Sequence, residues 1–204
     1  KSAKHYNCII NIIKYVFSDE ELISGCIKGD SRSQSMLFER YSAKLSAVCR
    51  RYFNNEDDAK DVFQEGWIKI FNALVGFKGN SSLVTWMTRI MINTSLSVIR
   101  SRKQEYFVDV EDAKNAALLH KNQVETDETD NEELPRNAKN MSPEDVMKYF
   151  DLLPSGYRTV LNLYAVDGYS HKEIASQLNI SENTSKTQLL KARKRLKEII
   201  MNQN

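Results

Sequence analysis

Six basic side chains near the end of the chain have a spacing that suits binding to DNA phosphates. Residues 182–197 hold these six Lys or Arg residues and a single Glu, a net charge of +5. In a helix, four apolar residues would share the buried side, namely Leu189, Ala192, Leu196 and Ile199. The opposite side would carry Asn183, Lys186, Thr187, Leu190, Lys191 and Lys194. Such a positive face is typical of a helix that enters a DNA groove, although a merely Lys-rich surface helix is the alternative.

A second group of polar side chains is acidic and lies near residue 60. Asn55 and the three carboxylates after it favour a helix start. Ala59, Val62, Phe63, Ile70 and Leu74 would lie on its core side. Along the same helix, a stripe at spacings of three and four would contain Asp58, Asp61, Gln64 and Glu65. A solvated face is the usual explanation of such a stripe, whereas an exposed Trp67 beside it would favour a protein interface.

A polar loop, Phe77 to Leu83, precedes a basic and aromatic helix. Gly79 permits close backbone approach, and the hydroxyls and amide of the loop could line a small pocket. The next helix, Val84 to about Lys103, would present Trp86, Arg89, Asn93, Arg100, Arg102 and Lys103. Basic groups mixed with an aromatic ring suit melted or single-stranded nucleic acid, where unstacked bases need a surface. Trp86 could equally be a core residue.

Residues for catalysis, metal binding or a disulfide framework do not group together. His5, His120 and His171 are scattered, and no Gly-rich phosphate loop follows a strand. The three cysteines have no C-x-x-C spacing, so we expect no zinc site and a reducing, cytosolic compartment. The apolar stretch from Ile9 to Phe17 is much shorter than the roughly 20 residues of a membrane span. We therefore expect no enzyme, no cofactor, no metal site, no membrane insertion and no secretory signal.

The elements that position these groups read as helices throughout. Apolar residues between Glu20 and Phe53 predict two helices with Gly29-Asp30 between them: Leu22, Ile27, Met36, Leu37, Tyr41, Leu45, Val48, Tyr52 and Phe53. Further on, Ser142-Pro143 starts a helix that would bury Val146, Phe150 and Leu153. Pro154-Ser155-Gly156 breaks that helix, and the next, with Val160, Leu161 and Tyr164, ends at Asp167-Gly168.

The last two predicted helices form a helix-turn-helix. Ser170 and Glu173 make a capping box, after which Ile174, Ala175 and Leu178 recur on one face. Asn179 tolerates the left-handed conformation that turns the chain, and Ser181 caps the last helix, which runs to about Ile200. A short turn with a small residue on the contact face is typical of this motif.

Charge divides the 204 residues into three blocks. The whole chain has 29 basic and 27 acidic residues, a net charge of +2. Residues 1–104 hold 16 basic and 10 acidic residues, residues 105–140 hold 4 and 10, and residues 141–204 hold 9 and 7. The middle block lacks an apolar period and reads as a flexible acidic linker. We predict an all-α protein with an extension (1–18), a helical domain (19–104), the linker (105–140) and a helix-turn-helix domain (141–204).

The order of these motifs resembles a bacterial RNA polymerase sigma factor of the small, two-domain extracytoplasmic-function (ECF) type, within the sigma-70 family. The resemblance covers about residues 19–200. Its motifs are DAKDVFQE (58–65), FKGNSS (77–82) running into TWMTRI (85–90), LP and YR (153–154 and 157–158), and GYSHKEIA (168–175) with SENTSK (181–186). It implies a promoter-specificity subunit without catalysis of its own. A stand-alone helix-turn-helix regulator is the alternative, but it leaves the acidic stripe without a purpose.

The resemblance also implies roles for particular residues. Core polymerase would be bound through its largest-subunit clamp helices by Asp58, Asp61, Gln64 and Glu65, and through its flap. The minus-10 element would be melted and held, with one base flipped into the loop, by Phe77, Lys78, Asn80, Ser81, Ser82, Trp86, Arg89 and Asn93. The minus-35 duplex would be read by Asn183, Thr184, Lys186, Thr187, Leu190, Lys191 and Lys194.

Further expectations follow from the resemblance or remain open beside it. The acidic linker would thread into the polymerase channel and imitate RNA, or act as a solvated spacer. An anti-sigma factor is an expected partner. Ser185 stands where many relatives have Val on the buried face, so it needs a hydrogen bond there. Residues 1–18 have no family role, and Ile9, Ile12, Ile13 and Val16 suggest an amphipathic helix on the first domain or an anti-sigma contact.

Overall fold

The computed structural model describes residues 17–102 and 148–202. The chain divides into two compact units, here unit 1 and unit 2, with the boundary between Ser95 and Leu96. Most of the N-terminal extension, the acidic linker and the predicted helix start at Ser142 lie outside the described residues. Both described stretches are built from helices and contain no strand, which confirms the all-α fold class. The predicted domain limits stay predictions.

The first two helices of unit 1 meet at a tight turn. Helix α1 (Asp19–Ile27) has the capping box of Ser18 and Glu21, in which the Ser18 N–H donates to the Glu21 carboxylate at 2.7 Å. Gly29 has φ of +78°, a conformation that favours glycine, and Asp30 then caps helix α2 (Ser31–Arg50). The two predicted helices are thereby confirmed. Ile27, one of the apolar residues from which these helices are predicted, is 50% exposed, because it lies about 100° around the helix from buried Cys26.

The next two helices carry the candidate surfaces of unit 1, and the last residues of the second helix belong to unit 2. Helix α3 (Glu56–Ala73) starts after Asn55, whose side chain accepts a hydrogen bond from the Asp57 N–H at 2.9 Å. A 3₁₀ turn (Leu74–Gly76) and the polar loop lead into helix α4 (Leu83–Ser101). At Gly66 a β-carbon would collide with the Met91 thioether, so the glycine permits close packing of α3 against α4.

The interior of unit 1 is mainly apolar. Its most buried side chains come from all four helices and the turns between them: Leu22, Leu37, Leu45, Tyr52, Ile70, Leu74, Met87 and Met91. At its edge, Asp19 accepts hydrogen bonds from Arg40 at 2.7 Å and from the Tyr41 hydroxyl at 2.6 Å. Burial raises the pKa of Tyr41 to about 12, so the phenol stays a donor and ties α1 to α2.

Unit 2 contains the predicted helix-turn-helix. Residues 148–151 are helical, and helix α5 (Ser155–Leu161) begins just after Pro154 and continues into a π-helical turn (Asn162–Val166). Helices α6 (His171–Leu178) and α7 (Glu182–Asn202) follow. Phe150 and Leu153 are buried as predicted, whereas Tyr164, in the π-helical turn, is 38% exposed.

Polar side chains are enclosed in the interior of unit 2, which the apolar pattern did not predict. Arg158 is fully buried, and its guanidinium lies 3.6 Å from the Asp151 carboxylate. The Thr159 hydroxyl donates to the Ser155 carbonyl at 2.8 Å. Among the described residues of this unit, Asn162, Ser185 and Gln188 are also buried and polar.

Candidate functional site

Helix α7 presents the predicted DNA-reading residues on one face. The Ser181 hydroxyl caps its start by accepting from the Thr184 N–H at 2.9 Å. Glu182 in the first turn forms an ion pair with Lys186 at 3.3 Å, one turn along the helix. Of the predicted set, four side chains are exposed and three are half-buried: first Asn183, Lys186, Leu190 and Lys194, then Thr184, Thr187 and Lys191. The structure therefore brings the whole set to one side of a single helix.

The opposite face of α7 packs on the rest of unit 2. Leu189 and Ala192 are buried as predicted, and Ile200 is buried as well. Leu196 and Ile199, predicted on the buried side, are half-buried. The buried stripe of this helix includes the polar Ser185 and Gln188, which apolar periodicity alone could not identify.

The turn between α6 and α7 has the predicted geometry. Ser170 and Glu173 form the capping box, with the Ser170 N–H donating to the Glu173 carboxylate at 2.8 Å. These hydrogen bonds from Ser170 lower the pKa of Glu173, which keeps the cap ionised. Asn179 has φ of 53°, the left-handed conformation expected at this position. Ile174 and Leu178 are buried against α7, so α6 supports the exposed face of its neighbour.

A cluster that sequence reasoning missed lies behind α7. The His171 Nδ1 atom lies 2.9 Å from the Ser185 hydroxyl, which supplies the hydrogen bond that a serine on the buried face requires. The His171 ring stacks on the Tyr164 ring at 4.7 Å, and the Arg193 guanidinium lies 5.9 Å from the centroid of the Tyr164 ring. Burial, together with the positive charge of Lys186, lowers the pKa of His171. The sequence signal for this cluster is Ser185, a serine on the buried face that needs a hydrogen bond there.

The acidic stripe lies on α3 with most of its members in solvent. Asp61, Gln64 and Glu65 are exposed, while Asp58 is half-buried. Glu65 forms an ion pair with Lys69 at 2.6 Å, which offsets part of the negative charge of the stripe. Because positions three and four apart share a helix face, Ile68 extends the stripe, and it is 63% exposed. This apolar neighbour was not predicted, although its spacing from Gln64 and Glu65 indicates it.

Trp67 does not extend the exposed stripe. It is 4% exposed and packs in an aromatic cluster with Phe38, Phe63 and Phe71. Its ring centroid lies 4.9 Å from Phe38 and 5.3 Å from Phe71. Trp67 faces α2, the helix that carries Phe38, so it holds the two helices together. Trp67 therefore gives no support to a protein interface. The exposed apolar side chain beside the acidic stripe is Ile68.

The polar loop combines an aromatic pair with exposed polar tips. The Phe77 and Trp86 rings lie 5.2 Å apart, and both side chains are half-buried, so Trp86 is neither a core residue nor a free platform. Gly79 has φ of +71°, which lets the loop turn. Lys78, Asn80 and Ser81 are exposed.

Ser82 has a local role as the cap of α4. Its hydroxyl accepts a hydrogen bond from the Thr85 N–H at 3.3 Å and lies 2.7 Å from the Thr85 hydroxyl. Further along α4, Arg89 and Asn93 are exposed and lie one turn apart. The exposed tip of the loop and the exposed Arg89 and Asn93 are therefore close together in the sequence of unit 1. Arg100 is exposed and Arg102 half-buried, and Lys103 lies outside the described residues.

The described residues offer little for covalent or metal chemistry. They contain no group of three or more His, Cys, Asp or Glu side chains that could hold a metal ion. Cys26 and Cys49 are buried free thiols, and burial raises the pKa of Cys49 to about 11, which keeps it protonated and unreactive. Over the same residues, no helix has both the length and the apolar character of a membrane span.

Two family profiles match the chain in the order of its two units. Residues 37–105 match Sigma-70 region 2, and residues 144–196 match Sigma-70, region 4. The region 2 match contains the acidic stripe, the polar loop and α4, and the region 4 match contains the helix-turn-helix.

Curated relatives are similar over nearly the whole chain. The ECF RNA polymerase sigma factor SigW of Bacillus subtilis is 30% identical over 84% of this chain and 90% of its own length. The ECF RNA polymerase sigma-E factor of Haemophilus influenzae is 27% identical over 90% of this chain and 95% of its own. Among solved structures, CnrH in complex with the cytosolic domain of CnrY is 20% identical with a TM-score of 0.44, covering 90% of this chain and 97% of that one. RpoE of Bartonella quintana, solved with the anti-sigma factor NepR, is 21% identical with a TM-score of 0.45, covering 82% and 96%.

Proposed function

We propose a division of roles between the two units of this chain, which belongs to the extracytoplasmic-function (ECF) sigma factors of bacterial RNA polymerase and directs transcription initiation. Unit 1 binds core polymerase and the melted minus-10 element, and unit 2 binds the minus-35 duplex. Core polymerase supplies the active site, and this chain contributes binding free energy without catalysis of its own. Its site of action is the cytoplasm, where polymerase and promoter DNA meet.

One observation carries this proposal for DNA: helix α7 has a positive exposed face and a packed opposite face. Lys186 and Lys194 are exposed on the first of these, and Leu189 and Ala192 are buried on the second. A helix held in this way can enter a major groove without losing its support, because α6 and the turn at Asn179 lie behind it. Phosphate binding through the Lys residues then positions the polar side chains near the helix start at base edges.

The polymerase contact is assigned to the acidic stripe of α3. Asp61 and Glu65 would meet basic residues of the clamp helices, and exposed Ile68 beside them would give the contact an apolar part. Carboxylates at the rim of an interface increase the rate of association and fix how the two partners align. An apolar side chain adds affinity because its surface is removed from water on binding. The flap would hold unit 2. An anti-sigma factor would inhibit by covering the same stripe.

The minus-10 contact is assigned to the polar loop and α4. The exposed tip of Lys78, Asn80 and Ser81 can reach a base that has left the stack, and the Phe77 and Trp86 pair supplies aromatic surface nearby. Arg89 and Asn93, one turn apart on α4, would contact the nontemplate strand. The acidic linker would lie in the polymerase channel between the two DNA contacts.

Association of the full chain with core polymerase tests the assignment in unit 1. Asp61→Ala with Glu65→Ala should weaken binding by about tenfold or more, because two charges leave the interface. The matched control is Glu20→Ala with Glu39→Ala, which removes two exposed carboxylates from α1 and α2. Equal affinities of the two double variants would show that the stripe is not the contact.

Binding of the full chain to promoter duplex at several salt concentrations tests the assignment in unit 2. Lys186→Ala and Lys191→Ala should each lower the salt slope by about one unit if each side chain neutralises one phosphate. Arg195→Ala is the control on the same helix, because Arg195 is exposed but lies outside the predicted DNA-reading set, about 100° around the helix from Lys194. A salt slope that changes as much in the control as in the Lys variants would contradict the assignment.

A further inference from the structure

An apolar side chain stands in the middle of the positive face of α7. Leu190 is 61% exposed. One turn before it is Lys186, and one turn after it is Lys194, and both are exposed. Thr187, three residues earlier, is half-buried on the same side. On the face predicted to meet DNA, an exposed apolar side chain thus stands between two exposed lysines.

The fold of unit 2 does not require a leucine at this position. The buried stripe of α7 contains Ser185, Leu189 and Ala192, and in a helix Leu190 lies about 100° from Leu189 and about 160° from Ala192. Helix propensity does not require it either, because Lys, Arg and Gln form helices about as well as Leu. A leucine here keeps apolar surface in water until something covers it.

The chemistry of the major groove points to one group that Leu190 would cover. Among the four bases, only thymine presents an apolar group there, its C5 methyl, whereas the other groove atoms are hydrogen-bond donors and acceptors. Lys186 and Lys194 would engage phosphates on either side and so bring Leu190 to the base edges between them. Building on the DNA contact proposed above for α7, we propose that Leu190 selects a thymine in the upstream element by packing against its C5 methyl.

Deoxyuridine substitution isolates this contact, because it removes the methyl group and leaves base pairing intact. The upstream element is first selected from a random duplex library with holoenzyme formed from the full chain and core polymerase. Each thymine of the selected element is then replaced singly by deoxyuridine, and the affinity of the holoenzyme is measured. At one position, loss of the methyl should weaken binding by about fourfold, the expected value for one buried methyl-sized group.

The variant Leu190→Ala should bind thymine and deoxyuridine equally at that position, and Leu190→Met, which keeps an apolar side chain, should restore the preference. Lys194→Ala is the control, because it should weaken both duplexes equally and keep the ratio between them. Methyl sensitivity that persists in Leu190→Ala, or a selected element whose thymines are all indifferent to substitution, would overturn the proposal. Absence of any selected upstream sequence would instead contradict the proposed minus-35 function.

Discussion

Units 1 and 2 are both helical, but they fill their interiors with different side chains. Unit 1 packs Leu, Met and aromatic residues, and its buried Thr94 and Ser95 hydroxyls donate to carbonyls of their own helix at 2.8 and 2.9 Å. Unit 2 encloses Arg158, Asn162 and Gln188 along with its apolar residues. The two interiors should therefore respond differently to the same kind of substitution.

The largest expected effect is in the apolar interior of unit 1. Trp67→Ala should lower its free energy of unfolding by about 3–5 kcal/mol, because the substitution removes the centre of the aromatic cluster. Trp86 remains as the only tryptophan of the chain and reports urea unfolding of unit 1 by fluorescence. A loss below about 1 kcal/mol would mean that α2 and α3 are held together elsewhere.

The corresponding substitution in unit 2 is at Arg158. Arg158→Ala should lower the free energy of unfolding of unit 2 by about 2–5 kcal/mol, because it leaves a cavity. Both tryptophans lie in unit 1, so unfolding of unit 2 is followed by circular dichroism. Arg158→Met should recover much of the loss, because its side chain refills the space without a buried charge. If Met is no better than Ala, the charge contacts of Arg158 hold unit 2 together, and the contrast between the two interiors becomes sharper.

Each unit has a capping box, so the same cap substitution can be compared between the two units. Ser18 begins α1 in unit 1, and Ser170 begins α6 in unit 2, each paired with a Glu three residues later. Ser18→Ala and Ser170→Ala should each cost about 1 kcal/mol, and replacement by Gly only a few tenths. Since both caps are exposed, unequal losses in urea unfolding would show that the two units transmit a local change differently.

The smallest expected effect is a pH dependence confined to unit 2. The pKa of His171 is lowered in the folded chain, so below about 6.5 the unfolded chain binds a proton that the folded chain resists. The contribution of neutral His171 is complete above that pH and declines as pH falls towards the lower, folded value. Unfolding of unit 2 at pH 7.5 and 5.5 should therefore change less in His171→Gln than in the parent chain. If the parent chain and His171→Gln showed the same pH dependence, His171 would not be the source of it.

Much of the fold and of the candidate surfaces could be predicted from the sequence. The caps at Ser18, Asn55, Ser170 and Ser181 act within one turn, so local residue types suffice to place the helix starts. The positive face of α7 follows from helical spacing alone. The burial of Trp67 does not follow from the sequence, because a residue at the border between two faces is buried or exposed according to the neighbouring helix. Phe38, which packs on Trp67, comes from a helix more than twenty residues earlier.

The sequence by itself determined the helical class, the order of the motifs and the charges of the surfaces, since these depend on residues close together in the chain. Tertiary structure decided which side chains those surfaces present. The contact between His171 and Ser185, the burial of Arg158 and the exposure of Ile68 depend on where the packed helices leave room. Periodicity identifies a face of a helix, but only a neighbouring element determines how far around the helix burial extends.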